Sequence, residues 1–214
     1  MSGEPAGICR SPHFPLAALR HDNIMKRYSW KWKSIVTLSF DQPVDQVARQ
    51  LLGAELLIDG IGGVIVETEA YGLDDAASHS FKGETVRNRA MFGPSGHVYV
   101  YRSYGLHWCL NIVCRRGEAV LIRALEPKAG IEVMIQRRAT ADVKMLCSGP
   151  GRLAQALGVT DAFNHLPITA APFSLRQNAR HMALSGKRIG ITRETDRPWR
   201  FGLRGSQFLS RRFS

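Results

Sequence analysis

Residues 64–71 of the chain, Val-Ile-Val-Glu-Thr-Glu-Ala-Tyr, decide the fold. Branched and aromatic side chains favour a β-strand, and successive side chains of a strand point to opposite faces. The face expected to pack on the core consists of Val64, Val66, Thr68 and Ala70. The opposite face carries two carboxylates and an aromatic ring, and consists of Ile65, Glu67, Glu69 and Tyr71.

Glu67 and Glu69 lie two positions apart on the polar face of this strand. Like charges at that separation repel, which raises the pKa of one carboxyl, and proteins tolerate such pairs more often at functional sites than elsewhere. The alternatives are a solvated strand face and an ion pair with a nearby arginine. The spacing alone leaves all three interpretations open.

Further strands and helices are predicted around this one. Apolar runs bounded by turn residues favour strands at residues 55–58, 97–104, 106–114, 119–125, 188–192 and 199–203. Helical spacing favours helices capped by Asp41, near residues 131–138, and before Gly158, whereas residues 72–95 are polar and loop-like. We therefore predict a mixed α/β (α+β) fold: a single domain with mostly antiparallel strands, flanking helices and a protruding β-hairpin.

The predicted hairpin turns at Tyr104-Gly105. An exposed tip cannot bury a tyrosine, and aromatic or apolar side chains at such places act as wedges between the base steps of a duplex. β-Propensity accounts for Tyr99 and Tyr101 on the outgoing strand, but not for Tyr104. On the return strand Asn111 points away from an apolar face, where it can line a cleft.

The charge of the chain predicts a polyanionic partner. Its 214 residues carry 29 Lys+Arg and 18 Asp+Glu, a net charge of +11. Residues 1–35 contribute +4 and residues 185–214 contribute +6, which leaves +1 for the rest. Arginine outnumbers lysine by 22 to 7, and guanidinium groups bind phosphate oxygens in bidentate fashion. We expect nucleic acid as the partner, a flexible N-terminal basic arm over residues 1–34, and a catalytic domain over residues 35–214.

Other features exclude several classes of protein. The four cysteines form no C-x-x-C pair, and neither they nor the histidines fall at metal-ligand spacings, so no metal and no cofactor is predicted. No apolar run approaches the roughly 20 residues of a membrane helix, and no signal peptide opens the chain. We expect a reduced intracellular protein.

Five blocks of sequence resemble, in order, the alkyladenine (3-methyladenine) DNA glycosylase family of the mammalian type. They are residues 65–71 (IVETEAY), 87–92 (RNRAMF), 99–112 (YVYRSYGLHWCLNI), 121–127 (LIRALEP) and 147–150 (CSGP). The resemblance runs from about residue 41 to residue 206. It implies a monofunctional enzyme of base excision repair on a curved, mostly antiparallel sheet, whose hairpin enters the minor groove.

The resemblance also implies how such an enzyme works. It acts as a monomer on double-stranded DNA that contains damaged purines of the 3-methyladenine, hypoxanthine or ethenoadenine type, without a cofactor and without a membrane. It is located with the DNA, in the cytoplasm or nucleoid of a bacterium or the nucleus of a eukaryote. In a monofunctional enzyme of this kind water is the nucleophile that releases the base, so no lysine nucleophile is needed.

Site residues follow from the resemblance by position. Glu69 matches the general base that activates water, and Arg123 matches the residue that helps to hold that water and the carboxylate. Tyr104 matches the wedge that fills the space left in the duplex, and Asn111 matches the side chain that obstructs the 2-amino group of guanine. The walls that sandwich the flipped base match Tyr71, His79 and Tyr101. The loop between Tyr71 and His79 is one residue shorter than in the mammalian pattern.

Two other functions fit parts of the sequence. A non-catalytic nucleic-acid-binding module explains the basic ends and the exposed tyrosines, but not two carboxylates on one strand face. A metal-dependent nuclease gives Glu67 and Glu69 a role as ligands.

Overall fold

The computed structural model describes residues 38–177 and 181–213, so the predicted basic arm, residues 1–34, lies outside the described residues. Helices α1 to α4 span Val44–Gln50, Ile131–Arg138, Val143–Leu146 and Pro150–Leu157. Strands β1 to β8 span Glu55–Ile58, Ile61–Tyr71, Val98–Ser103, His107–Val113, Ala119–Ala129, Phe173–Arg176, Ala183–Gly186 and Arg200–Leu203.

The strands form one curved, antiparallel sheet in the order β3-β4-β5-β2-β1-β6, with β8 joined to β2 and β7. Strand β2 is its centre, because it pairs with β5 along one edge and with β1 and then β8 along the other. The predicted mixed α+β single domain with a mostly antiparallel sheet, flanking helices and a β-hairpin is confirmed for the described residues.

The pairing of β2 with β5 is irregular after Ile65, and this irregularity changes the face of the sheet to which the side chains of β2 point. Between Ile65 and Glu67 the strand advances two residues while β5 advances only one, from Leu125 to Ala124. Such a bulge reverses the alternation of side chains. Ile65 therefore lies in the main core, and its predicted position on the carboxylate face was wrong. Beyond the bulge, Thr68 faces helix α1 and donates a 2.9 Å hydrogen bond to the carbonyl of Ala48.

The helices cover the core side of the sheet. Helix α4 buries Leu153 and Leu157 and ends at Gly158, whose φ of 70° is the left-handed conformation that glycine adopts most readily. Each leucine buried in this way stabilises the fold by about 1.5–3 kcal/mol. In the part of the chain that the structure describes, no helix is both long and apolar enough to cross a bilayer.

Two local predictions were wrong. Asp41 does not cap helix α1, because the helix begins after Pro43 and has no side-chain cap. Residues 188–192 are not a strand: they follow β7 as an irregular segment, in which Arg188 is buried in an ion pair with Asp75. Strands β6 and β7 were not predicted, since each has only four residues and alternates too briefly to stand out.

Candidate active site

A cavity of about 510 Å³ opens between strands β2 to β5 and the loops beside them. It gathers residues that are up to 120 positions apart in sequence, which only the antiparallel sheet brings together. Six of the seven side chains predicted for the site line it: Tyr71, His79, Tyr101, Tyr104, Asn111 and Arg123. The seventh, Glu69, lies behind the wall and is hydrogen-bonded to two of them.

Glu69 is completely buried and accepts three hydrogen bonds. Its Oε2 accepts from the hydroxyl of Tyr71 at 2.9 Å and from Nη1 of Arg123 at 3.3 Å, and its Oε1 accepts from the backbone N–H of Ile189 at 2.8 Å. Burial raises the pKa of the Glu69 carboxyl above its ordinary value, although these three donors each lower it. A carboxylate that is desolvated yet fully oriented is suited to accept a proton.

Arg123 lies between the two carboxylates of β2. Its Nε donates to Oε1 of Glu67 at 3.0 Å, while its Nη1 reaches Glu69. Burial lowers the pKa of the Arg123 guanidinium, but the carboxylates of Glu69 and Glu67 outweigh this effect and raise it. The ion pair considered from the sequence is therefore present, and it lies inside the site rather than on a solvated face.

The side walls of the cavity are aromatic. The ring of His79 meets the ring of Tyr101 edge-on, with 4.4 Å between centroids, and His79 Nδ1 shares a 2.8 Å hydrogen bond with the hydroxyl of Tyr99. Burial and the charge of Arg87 lower the pKa of His79, which favours a neutral imidazole at neutral pH. Tyr71 is backed by Arg188, whose guanidinium carbon lies 4.7 Å from the ring centroid.

Asn111 is fixed in the floor of the cavity. It is 3% exposed, and its amide nitrogen donates to the carbonyls of Tyr99 at 3.0 Å and Cys109 at 3.3 Å. Strand pairing places Asn111 between Tyr99 on β3 and Leu121 on β5. These two hydrogen bonds fix the orientation of the side chain, since they use both donors of its amide nitrogen.

The tip of the hairpin is apolar and exposed. Tyr104 is 86% exposed at a φ of 49°, next to Gly105 at a φ of 69°. A left-handed conformation costs a non-glycine residue roughly 1–2 kcal/mol, so the turn holds an aromatic residue outward at the expense of local strain. Leu106, which the sequence analysis did not single out, is 71% exposed beside it.

The irregular segment after β7 belongs to the site as well. Ile189 supplies the N–H that holds Glu69, and Gly190 and Ile191 line the cavity. Arg188 anchors this segment through Asp75 and through a 2.9 Å hydrogen bond to the carbonyl of Ala70. No sequence signal marks a backbone N–H as functional, so this contribution was missed.

Some of the basic side chains near the C-terminus are buried in ion pairs, and others are exposed on the surface. Arg188 and Arg200 are buried in ion pairs with Asp75 and Glu67, so they are not available for a polyanion. The exposed arginines of this region are Arg193, Arg204, Arg211 and Arg212. The sequence-based total of +6 therefore overstates the charge that the surface presents.

The chain is similar to proteins of known family. A family model described as methylpurine-DNA glycosylase matches residues 38–207. A protein of Agrobacterium fabrum named "Putative 3-methyladenine DNA glycosylase" is 57% identical over 175 residues, which are 81% of this chain and 91% of that protein. Proteins of the same name from Rhizobium meliloti and Nitrosospira multiformis are 55% and 53% identical, over 81% and 83% of this chain and 95% and 94% of their own lengths.

Proposed function

Because the chain belongs to the methylpurine-DNA glycosylase family, we propose that it removes 3-methyladenine from double-stranded DNA by hydrolysing the N-glycosidic bond. It is an enzyme of the DNA glycosylase class. The observation that carries the proposal for this chain is the buried, triply hydrogen-bonded Glu69 directly behind an aromatic cavity.

The first step is extrusion of the damaged nucleotide. A base inside a duplex offers no path to its glycosidic bond, and unstacking it costs a few kcal/mol, least for a damaged pair. Tyr104 offsets part of this cost by filling the space that the base leaves. The outward position of Tyr104, beside Leu106 at the hairpin tip, supports this role.

The cavity then selects the base. The rings of Tyr71, His79 and Tyr101 attract an alkylated, cationic purine more than a neutral one, because the face of an aromatic ring is electronegative. The lowered pKa of His79 supports this selection, since a neutral imidazole does not repel a cation. Asn111 blocks the 2-amino group of an undamaged guanine.

The chemical step uses the carboxylate of Glu69. As the bond between C1′ and the base nitrogen breaks, its electron pair moves to the base, and cationic 3-methyladenine leaves as a neutral molecule. Glu69 stabilises the oxocarbenium-like transition state and accepts a proton from the water whose oxygen bonds to C1′. Arg123 and Tyr71 hold the carboxylate in place. Hypoxanthine and ethenoadenine are further substrates under this proposal, although as neutral leaving groups they need a proton.

The nuclease alternative fits the geometry less well. A two-carboxylate metal site needs oxygens that are free to bind the cation. Both oxygens of Glu67 already accept hydrogen bonds, from Arg123, Arg200 and Ser210. The binding-module alternative leaves the buried Glu69 without a role.

One assay separates the three functions. The protein is incubated with duplex DNA treated with dimethyl sulfate, once in EDTA and once with Mg²⁺, and released bases are measured by chromatography and strand nicks by electrophoresis. Release of 3-methyladenine is expected. Metal-dependent strand nicking without base release would indicate a nuclease, and binding without either product would indicate a binding module.

A further inference from the structure

Four charged side chains form a buried row between strands β2, β5 and β8. The row runs from Glu69 to Arg123 at 3.3 Å, from Arg123 to Glu67 at 3.0 Å, and from Glu67 to Arg200 at 2.7 Å. Both glutamates are 0% exposed, and Arg123 and Arg200 are 6% and 5% exposed. The formal charges of the row cancel, which is the condition under which buried charges are tolerated.

Of the four members of the row, Glu67 and Arg200 take no part in the proposed chemistry, and Glu67 is the one that contacts Arg123. Its Oε1 accepts from Nε of Arg123, from Nε of Arg200 and from the hydroxyl of Ser210, and its Oε2 accepts from the Ser210 backbone N–H. Glu67 is not among the residues that line the cavity. Both of its oxygens are therefore occupied by donors, and it contacts the cavity-lining residue Arg123.

The segment that carries Ser210 is held in place by Arg200. The guanidinium of Arg200 donates to the carbonyls of Arg211 and Arg212, and its central carbon lies 4.0 Å from the ring centroid of Phe213. Ser210 also accepts a 3.4 Å hydrogen bond from Nη2 of Arg123. Residues 210–213 thus close the row from the side opposite to Glu69.

The contact with Glu69 alone does not fix the orientation of the Arg123 guanidinium, which also contacts Glu67 and Ser210. One contact at Nη1 leaves a guanidinium free to swing about that bond, whereas contacts at Nε and Nη2 as well fix its plane. Resting on the role proposed for Glu69, we propose that Glu67 is a positioning residue, clamped by Arg200 and Ser210, that holds Arg123 against the Glu69 carboxylate.

The charges of Arg123 and Glu67 both act on the pKa of Glu69, which supports the positioning role of Glu67. Arg123 lowers the pKa of Glu69 and Glu67 raises it, so Glu67 limits the effect of the arginine on the general base. The titratable groups that interact with Glu69 are Glu67 and Tyr71 of β2, Tyr101 of β3, Cys109 of β4 and Arg123 of β5. Arg200 of β8 is the strand partner of Glu69, and Arg188, in the segment after β7, lies against the ring of Tyr71. Removing the Glu67 charge favours the ionised form of Glu69, which lowers its pKa.

The test uses three variants of the full chain. E67Q removes the charge, E67D keeps the charge but shortens the reach, and S210A removes one clamp and leaves the charge row intact. E126Q is the matched control, because it removes a partly exposed carboxylate of β5 that pairs with Lys128 instead. Single-turnover excision from duplex DNA treated with dimethyl sulfate is measured against pH, together with thermal melting and affinity for duplex containing a tetrahydrofuran abasic-site analogue.

We expect E67Q and E67D to lower the excision rate by about tenfold and S210A by about threefold, with affinity for the analogue within about twofold of the parent. In E67D the acidic limb of the rate profile shifts to higher pH, because a displaced Arg123 lowers the pKa of Glu69 less, whereas in E67Q the lost carboxylate charge opposes this shift. E126Q behaves as the parent. If E67Q does not fold, the excision rates of folded E67D and S210A test the positioning role.

Two results would overturn the positioning role. One is parent-like excision by folded E67Q, E67D and S210A. The other is a rate loss that follows the loss of thermal stability in all variants, with an unshifted acidic limb in E67D. E69Q in the same series keeps the two proposals distinguishable: active E69Q defeats the proposed function, whereas inactive E69Q beside fully active Glu67 variants defeats only the positioning role.

Discussion

The hydroxyl of Tyr71 donates a 2.9 Å hydrogen bond to Oε2 of Glu69, two residues earlier on the same strand. The bond joins the aromatic wall that we propose contacts the base to the carboxylate that we propose activates water. Strand periodicity creates this relationship, because residues two apart share a face. The proposed function therefore couples base recognition and chemistry within β2.

Replacing Tyr71 with phenylalanine separates these two roles. Y71F keeps the ring and loses a donor to the ionised carboxylate, so the pKa of Glu69 rises. We expect the acidic limb of the excision profile to move up by about one pH unit, with the affinity for abasic-analogue duplex within about twofold of the parent. An unshifted limb would mean that the hydroxyl does not act on Glu69.

The pH dependence of the parent enzyme follows from the burial of Glu69. Burial raises the pKa of its carboxyl, and only the ionised form accepts a proton from water. Excision of 3-methyladenine should rise with pH through an acidic limb that lies above the ordinary range of a glutamate. Burial and Glu69 also raise the pKa of Tyr71, so its hydroxyl stays protonated and no alkaline loss is expected.

The same profile measured with hypoxanthine-containing duplex provides a contrast. A neutral leaving group needs protonation, so its excision should fall on the alkaline side while that of 3-methyladenine does not. The acidic limb should be the same for both bases, and an equal alkaline fall for both, or for neither, would contradict the assignment of the alkaline limb to the leaving group.

Tyr104 is predicted to be required for lesion binding and dispensable for folding. Asparagine tolerates the left-handed conformation that the turn imposes, so Y104N should melt at or above the temperature of the parent. We expect it to bind abasic-analogue duplex at least about tenfold more weakly at fixed salt. M182N is the control, because Met182 is another exposed apolar residue, at 68%, outside the cavity and the hairpin. Equal affinities of Y104N and the parent would exclude the wedge.

Asn111 is predicted to exclude normal guanine. N111A opens the floor of the cavity, and we expect measurable release of guanine from undamaged duplex, where the parent releases none above background. N164A is the matched control: Asn164 also bonds the backbone of β3, at the N–H and carbonyl of Val100, but does not line the cavity. Guanine release by both variants would indicate loosening of β3 rather than a lost obstacle.

The sequence predicted the central strand and the hairpin because alternation and turn residues are local signals. The bulge after Ile65 escaped prediction, since a bulge is defined by the pairing of β2 with β5. The donors Ile189 and Ser210 escaped it for a related reason: they reach Glu69 and Glu67 across 120 and 143 positions of sequence. Strand alternation placed Glu69 and Tyr71 on one face, the family resemblance added Arg123 and the individual roles, and the sheet brings the three residues into contact.

The central claim is that the Glu69 carboxylate activates water for release of the base. E69Q is nearly isosteric and leaves the aromatic walls and the hairpin unchanged. In a single-turnover assay on duplex DNA treated with dimethyl sulfate, we expect release of 3-methyladenine to fall by a factor of about 100 to 10,000, while abasic-analogue duplex is bound as by the parent. Release within about tenfold of the parent rate would contradict the account.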